Sequence, residues 1–313
     1  MVENVINFKN ISFSYNDHQA LNQVSFQVAP GEVVGLLGPN GAGKTTSVRL
    51  LNGLLEPARG QIRVLGCDPV TEGHIIRKQA GVLTEVSALY ENLTAWQNLL
   101  FFGGLHGLSD DQIRSKGLEL LRFFDIEHRA DQRVEAYSKG MKQRLALVRV
   151  LLHQPALLYL DEPTSGLDPE AAKKVIDLMH MFRQKEQRSM LICTHNLAVA
   201  EALCDRLLIM RKGNVLADGS LADLRARFAP GLAVEIRMLN DITVAIQSVL
   251  QTLDQVQTVE KNGQGLVVHV LQEEVIPQVL QHLSEAGALI KSVIPVEKSL
   301  EDVYLTLQKE GSK

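Results

Sequence analysis

Cysteine is scarce and scattered: Cys67, Cys193 and Cys204 are an odd set with no Cys-x-x-Cys pair. That excludes a disulfide framework and a cysteine-ligated zinc site, and it is the usage expected in a reducing compartment. An excess of positive charge is also missing. The 32 Lys and Arg are outweighed by 36 Asp and Glu, for a formal net charge of −4 at pH 7, and no basic tail or stripe appears, so nucleic acid is not an expected partner. No apolar run approaches the roughly 20 residues of a membrane-spanning helix. The opening MVENVINFKN lacks the basic and apolar regions of a signal peptide. Tandem repeats and low-complexity tracts are missing too. These absences predict a cytoplasmic chain that reaches a membrane only through a partner.

What is there is an ordinary globular balance: 313 residues, 45% hydrophobic and 22% charged, a length that suggests about two domains. A chain of this size buries roughly three quarters of its unfolded surface and needs no structural metal. Up to Gly219, short apolar runs alternate with helical stretches, and the runs at 32–37, 156–160 and 190–194 are continuously apolar. Such strands belong to a parallel sheet covered on both faces by helices. The last third carries all of the net charge and a different pattern. Strands are predicted over 232–238, 256–261, 266–271 and 289–296, and helices over about 241–253, about 274–285 and from Leu300. This is a βαββαβ order plus one helix, the pattern of a small ferredoxin-like α+β domain. Ala229-Pro230-Gly231 reads as the linker.

Gly38-Pro39-Asn40-Gly41-Ala42-Gly43-Lys44-Thr45 fits Gly-x4-Gly-Lys-Ser/Thr, after a strand over 33–37 and before a helix starting at Thr45. Glycines let backbone N–H groups turn inward around phosphate oxygens, and the helix N-terminus adds a positive dipole end. Lys44 can then reach the β- and γ-phosphates, and the Thr45 hydroxyl can ligate Mg²⁺. A glycine-rich turn of no chemical consequence has similar composition, but it does not require this strand–turn–helix context.

Leu157-Leu158-Tyr159-Leu160-Asp161-Glu162 puts two adjacent carboxylates at the C-terminal end of an apolar strand, the edge where open α/β sheets bind ligands. Strand alternation predicts that they point apart, Asp161 toward a metal and Glu162 toward an attacking water as general base. Between loop and carboxylates lies Ala136-Tyr137-Ser138-Lys139-Gly140-Met141-Lys142-Gln143-Arg144, a Ser and a Gly opening a helix predicted to run to about Leu152. After them come Ser165-Gly166-Leu167-Asp168 and a strand ending in Thr194-His195. A lone histidine at a strand end is more often a surface residue than a catalytic one.

The order of these elements is distinctive. A phosphate loop, a Glu-containing loop, SKGMKQ, LLYLDEP, SGLD and TH within about 160 residues resemble the ATP-binding subunit of ABC transporters, over residues 3–219. The resemblance implies an α/β P-loop NTPase of ABC type, residues 1–219, with a helical subdomain over about 86–155 and the α+β domain at 220–313. It makes Gly38 through Thr46 the Walker A loop, including Pro39, Asn40, Gly41, Ala42, Gly43, Lys44, Thr45 and Thr46. Asp161 becomes the Mg²⁺-coordinating carboxylate, Glu162 the catalytic base, His195 the switch histidine on the γ-phosphate and Asp168 the residue that crosses a dimer interface. Tyr15, in Phe13-Ser14-Tyr15, stands where the family sets an aromatic ring against adenine; a plain strand-face tyrosine fits the same position.

Two departures from the family pattern stand out. The signature loop, usually Leu-Ser-Gly-Gly-Gln, reads Tyr137-Ser138-Lys139-Gly140-Met141. Ser138 and Gly140, which face the γ-phosphate in the family, are present, and Lys139 either meets phosphate charge or lies in solvent. The loop that usually presents Gln presents Glu85, whose oxygen can still serve Mg²⁺ or its water and whose charge should make the loop more metal-dependent. The segment from Leu89-Tyr90-Glu91 onward resembles the part of the helical subdomain that contacts the membrane subunit.

One chain holds one phosphate loop and one signature loop, which in the family belong to different subunits around each ATP. The resemblance therefore implies a dimer binding two ATP and Mg²⁺ and driving a separate multi-span permease from the cytoplasmic face of the membrane. YSKGMKQR, Glu85 and the tail Ser299-Leu300-Glu301-Asp302-Val303-Tyr304 are similar to the ABC-2 type branch, whose members export drugs, antibiotics, lipids or polysaccharides. The tail domain carries no ligand cluster and reads as an accessory or dimerisation module more than a sensor. A non-transport ABC ATPase and an importer ATPase with a regulatory tail are the alternatives. Against the first stand the single ATPase domain and the charge; against the second, only the unusual signature.

Overall fold

The apolar runs of the first two thirds form one six-stranded sheet of order β5-β6-β7-β3-β8-β9. Its strands are β3 (Val33–Leu37), β5 (Ala80–Leu83), β6 (Leu157–Asp161), β7 (Ser189–Thr194), β8 (Arg206–Arg211) and β9 (Asn214–Gly219). All pair in parallel except β9, which returns antiparallel to β8. Every residue of β3, β6 and β7 is buried, as expected of strands covered on both faces. A second, antiparallel sheet, which the sequence reading did not single out, has the order β2-β1-β4, from β1 (Ile6–Tyr15), β2 (His18–Val28) and β4 (Arg59–Val64).

Alternation along β6 separates two cores. Leu157 and Tyr159 join the antiparallel sheet and α1 (Lys44–Leu51), whereas Leu158 and Leu160 join the core shared with α5 (Lys139–Leu151) and α6 (Pro169–Glu186). Period two then puts Asp161 on the side of Tyr159 and α1. The remaining helices of this unit are α2 (Pro69–Gln79), α3 (Ala95–Leu105), α4 (Asp110–Phe123) and α7 (Leu197–Leu203). Reciprocal capping boxes, Thr94 with Gln97 and Ser109 with Gln112, start α3 and α4. Gly103 lets the two helices close, since a Cβ there would meet Ile113 Cγ1 at 2.6 Å.

The structure, a computed structural model, describes residues 3–228, 231–251, 253–263, 265–296 and 299–310. The chain divides into two compact units, Met1–Ser220 and Leu221–Lys313. The second unit holds α8 (Leu221–Phe228), β10 (Leu232–Met238), α9 (Val244–Gln251), β11 (Val256–Asn262), β12 (Gly265–Val270), α10 (Ile276–Glu285), β13 (Ile290–Val296) and α11 (Leu300–Glu310). The sheet order β11-β12-β10-β13, antiparallel throughout, is that of a ferredoxin-like fold. Val234, Ile236, Leu266 and Val268 pack on Ile246 and Leu250 of α9 and Val279 and Leu283 of α10.

Helix α8 precedes the expected linker and was not foreseen. Ala229 and Pro230 of that linker lie outside the described residues, as does Gln264 between β11 and β12. The helix expected from about Glu274 begins at Ile276, after a 3-10 turn over Glu273–Val275 and with proline in its first turn. Among the described residues no helix is long and apolar enough to cross a membrane.

Candidate nucleotide-binding site

The phosphate loop connects β3 to α1 through glycines that the backbone requires. Gly43 caps α1 at φ +107°, and a Cβ on it would meet Leu21 Cδ2 at 2.6 Å. Gly41, at φ +81°, has no protein atom within 4 Å of the place a Cβ would take, so the loop keeps open space beside it. The N-terminus of α1 has no side-chain cap and no acidic residue in its first turn. Its N–H groups and positive dipole end are therefore left for an anion. Lys44 is 7% exposed, and its ammonium donates to the carbonyls of Gly38 at 2.6 Å and Pro39 at 3.2 Å. No carboxylate lies within ion-pair distance of Lys44 among the described residues. A buried cation, uncapped N–H groups and a bare glycine loop are the donor set that fits phosphate.

Thr45, the second residue of α1, donates its hydroxyl to Asp161 Oδ2 at 3.1 Å. Burial pushes the Asp161 carboxyl up from its usual range; the Thr45 hydroxyl opposes this, while the charges of Glu162 and Glu85 add to it. A hydroxyl, a carboxylate and Glu85 beside them are hard oxygen donors, of the kind Mg²⁺ takes together with phosphate and water. Among the described residues no group of three or more His, Cys, Asp or Glu forms a metal cage.

Glu162 departs from the expected alternation. It lies beyond the last residue of β6 at φ +49°, a left-handed conformation unfavourable for a residue with a side chain. The turn sends its carboxylate to the end of β7. There Thr194 donates its hydroxyl to Oε2 at 2.9 Å, the His195 backbone N–H donates to Oε1 at 2.8 Å, and His195 Nδ1 lies 2.6 Å from the same oxygen. What directs Glu162 is the turn and the β7 terminus; period two explains Asp161 alone.

A cleft of about 510 Å³ gathers most of the sequence-predicted residues: Tyr15, Asn40, Gly41, Ala42, Gly43, Lys44, Thr45, Thr46, Glu85, Asp161, Glu162 and His195. Gly38 and Pro39 bear on it through their bonds to Lys44. Tyr15 closes β1 at the rim, edge-on to Phe13 at 4.9 Å, and its hydroxyl accepts from Arg49 at 3.3 Å.

Ser138, Gly140 and Asp168 do not line that cleft. Ser138 caps α5, its hydroxyl accepting the Met141 N–H at 3.3 Å. Gly140 must be glycine for contact: a Cβ would come 2.9 Å from the Gly166 carbonyl. The methylene stem of Lys139 lies along Gly166, where a Cβ would meet its Cγ, Cδ and Cε at 3.1 Å. Asp168 caps α6, and the Ala171 N–H, 2.8 Å from its Oδ1, holds its carboxyl below the usual range, helped by Arg144 at 3.7 Å.

Three residues escaped the sequence reading. Thr194 positions Glu162, Gln143 bonds the carbonyls of Glu162 and Pro163, and Arg144 meets Asp168. Gln143 and Arg144 stand inside the YSKGMKQR stretch, but their partners lie on another element, so spacing carried no signal.

A second cleft, of about 490 Å³, shares Thr45, Glu85 and Asp161 with the first. Its walls are mostly apolar, with Val82, Leu83, Val86 and Phe102. Arg149 of α5 crosses it, donating to the carbonyls of Ala88 at 2.9 Å and Val82 at 3.3 Å under the Phe102 ring, and burial pulls its pKa down. His106 and His153 stack with centroids 3.7 Å apart. Burial, the His106 ring and Arg188 push His153 down to about 4, against the Ala80 carbonyl at its Nε2.

Comparison with known proteins identifies the family. The family described as ABC transporter matches residues 21–165, and the family described as ATP-binding protein DrrA1-3-like, C-terminal domain, matches residues 219–307. A Nod factor export ATP-binding protein I of Paraburkholderia xenovorans (strain LB400) is 35% identical over 98% of each chain. The daunorubicin resistance ATP-binding protein DrrA3 of Streptomyces coeruleorubidus is 36% identical over 98% of this chain and 96% of its own. Among solved structures, an ATP-binding subunit of an ABC transporter has a TM-score of 0.67 at 36% identity, covering 72% of this chain and 93% of its own. A dimeric ATP-binding cassette in a post-hydrolysis state with ADP and Pi has a TM-score of 0.65 at 25% identity, covering 69% and 98%. The chain belongs to the ATP-binding proteins of ABC transporters and is an ATP-hydrolysing enzyme of that family, whose members work as dimers with a membrane permease.

Proposed function

We propose that this chain is the ATPase subunit of an exporter, working as a pair of copies on the cytoplasmic face of a membrane beneath a separate multi-span permease of ABC-2 type. The observation that carries the reading is the placement of Glu162, held by Thr194 and His195 across one cleft from Lys44 and Asp161. Relatives named for Nod factor export and daunorubicin resistance favour outward transport.

In this reading Lys44 and the loop from Gly38 to Thr46 bind the phosphates, while Tyr15 lies against the base. Thr45 and Asp161, with Glu85 near them, hold Mg²⁺, which when bound neutralises charge on the phosphates. The Glu162 carboxylate, aligned by the His195 N–H at Oε1 and the Thr194 hydroxyl at Oε2, accepts the proton of the attacking water at the remaining lone pair of Oε2. His195 holds Glu162 through Nδ1, and its Nε2 can donate to the γ-phosphate when the ring carries both protons.

Ser138, Gly140 and Asp168 sit outside their own chain's cleft, which supports a second copy supplying them to each nucleotide. Closing such a pair from 1:99 to 99:1 takes about 5.5 kcal/mol of differential binding, within reach of two nucleotides that each touch both copies. The second cleft suits a permease segment. Beside it Tyr90, Phe101 and Phe102 form an aromatic cluster with centroids 5.0 to 5.8 Å apart, and Val86, Phe101 and Leu105 are exposed. The C-terminal unit has a closed apolar core of its own and serves as a packing or dimerisation module.

Glu162→Gln tests the reading. It should still bind ATP, accumulate a closed pair and lose about 10²-fold or more in turnover, read as phosphate release. Unchanged turnover removes Glu162 from the base role. Purification of the tagged chain from gently solubilised membranes, with partners identified by mass spectrometry, tests the assembly: a stoichiometric multi-span protein is expected, and recovery with ribosomal or DNA-repair proteins instead would sink it.

A further inference from the structure

Gln143 is a buried polar side chain, 6% exposed, for which phosphate binding, metal binding and proton transfer have no use. It stands on α5 five residues after Ser138, about 7.5 Å along the helix at 1.5 Å per residue. Its Nε2 amide donates to the carbonyl of Glu162 at 3.2 Å and to that of Pro163 at 3.3 Å. Both acceptors are carbonyls, so the amide nitrogen must face them, and its two hydrogens match two partners.

Those carbonyls belong to the left-handed turn that aims the Glu162 carboxylate. The Glu162 N–H is fixed from the β7 side, donating to the Cys193 carbonyl at 2.9 Å. On the other side the turn closes on itself, the Ser165 N–H donating to the Glu162 carbonyl at 3.0 Å, and α5 adds the Gln143 contacts to the Glu162 and Pro163 carbonyls. Further along the same loop, Gly140 and Lys139 lie against Gly166, and Arg144 meets Asp168. One helix thus grips the stretch 162–168 at several points, and Gln143 is its contact at the carboxylate-bearing residue.

We infer that Gln143 is the positioning residue of the general base: its amide holds the turn at Glu162 and Pro163, and so fixes the carboxylate to the helix that carries Ser138 and Gly140. The inference rests on the base role proposed above. Gln143 does not line the cleft itself, and it acts only through where Glu162 points.

Two variants of the full-length chain test it. Gln143→Leu removes both donors at similar volume, and Gln143→Glu keeps the size but turns an acceptor toward two carbonyls. Each should lower kcat about tenfold and leave the affinity for a fluorescent ATP analogue within about twofold. In an E162Q background, adding Q143L should cause no further loss of single-turnover phosphate release, because a residue that acts through another has nothing left to position. Wild-type kcat in both variants, a loss of nucleotide affinity in step with kcat, or the same fractional loss in the E162Q background overturns the inference. Wild-type turnover in E162Q alone overturns the base assignment and this inference with it. Wild-type turnover in the Gln143 variants beside an inactive E162Q overturns only this one.

Discussion

The two clefts of the ATPase unit have nearly equal volumes, about 510 and about 490 Å³, and share Thr45, Glu85 and Asp161, yet they are built for different occupants. Each contains a cation held by two backbone carbonyls, the buried Lys44 in the first and the half-buried Arg149 in the second. A carbonyl-held cation is therefore not in itself an anion site. What supports the first cleft as the proposed phosphate site is the company of Lys44: an uncapped helix N-terminus and a glycine beside open space. Arg149 has the Phe102 ring over it and apolar neighbours around it, and there its charge ties α5 to the strand end and loop it spans.

Exchanging the two cations for alanine should separate these roles. Lys44→Ala should weaken binding of a fluorescent ATP analogue about 100-fold, the loss of charge-assisted contacts worth roughly 2 to 3 kcal/mol. Unchanged affinity would break the comparison at its root. Arg149→Ala should instead lower stability to denaturant by about 2 kcal/mol, through unpaired carbonyls and lost packing, with nucleotide affinity unaltered. A loss of affinity as large as that of Lys44→Ala would mean that both cations serve phosphate.

Finer differences follow. Tyr15→Ala should weaken adenine nucleotide binding about fivefold, as the loss of roughly 1 kcal/mol of stacking, and leave inorganic triphosphate affinity unchanged; an equal effect on both ligands would reassign Tyr15 to the strand face. The weakest effect is a pH dependence confined to the second cleft. His153 is held neutral, near pKa 4 against 6.5 for the ordinary imidazole. Its contribution is therefore fully present above about pH 6.5 and is lost as pH falls from there toward 4, where the unfolded chain takes up the proton first. His153→Phe should flatten urea-denaturation stability over that window, and an unchanged slope would count against the neutral, stacked state.

Much of this was legible because the chemistry is local in sequence. Gly38 to Thr45 is a contiguous loop whose glycines, lysine and hydroxyl have one joint use, and continuous apolar runs marked the covered strands. In the second unit, alternation located β10 to β13 within a residue or so. The misses have physical causes. Helix α8 is eight residues of mixed character with Leu224 its buried residue, too short for periodicity to register. The orientation of Glu162 escaped because a left-handed turn ends the alternation one residue earlier than the strand pattern suggests. Lys139, left open between phosphate and solvent, lies with its stem on Gly166, a contact made across elements.

By itself, then, the sequence determined which residues are candidates for the chemistry and on which kind of element they stand, because a phosphate loop, a strand-end carboxylate pair and a helix cap are each written within a few consecutive residues. Only the tertiary structure decided how they meet. Asp161 is set against Thr45 from 116 positions away, Glu162 against His195 from 33, and Gln143 against Glu162 from 19. These distances close through packing of α1, α5 and β7 around β6, and side-chain aim at their ends depends on backbone turns and neighbours that no local pattern encodes.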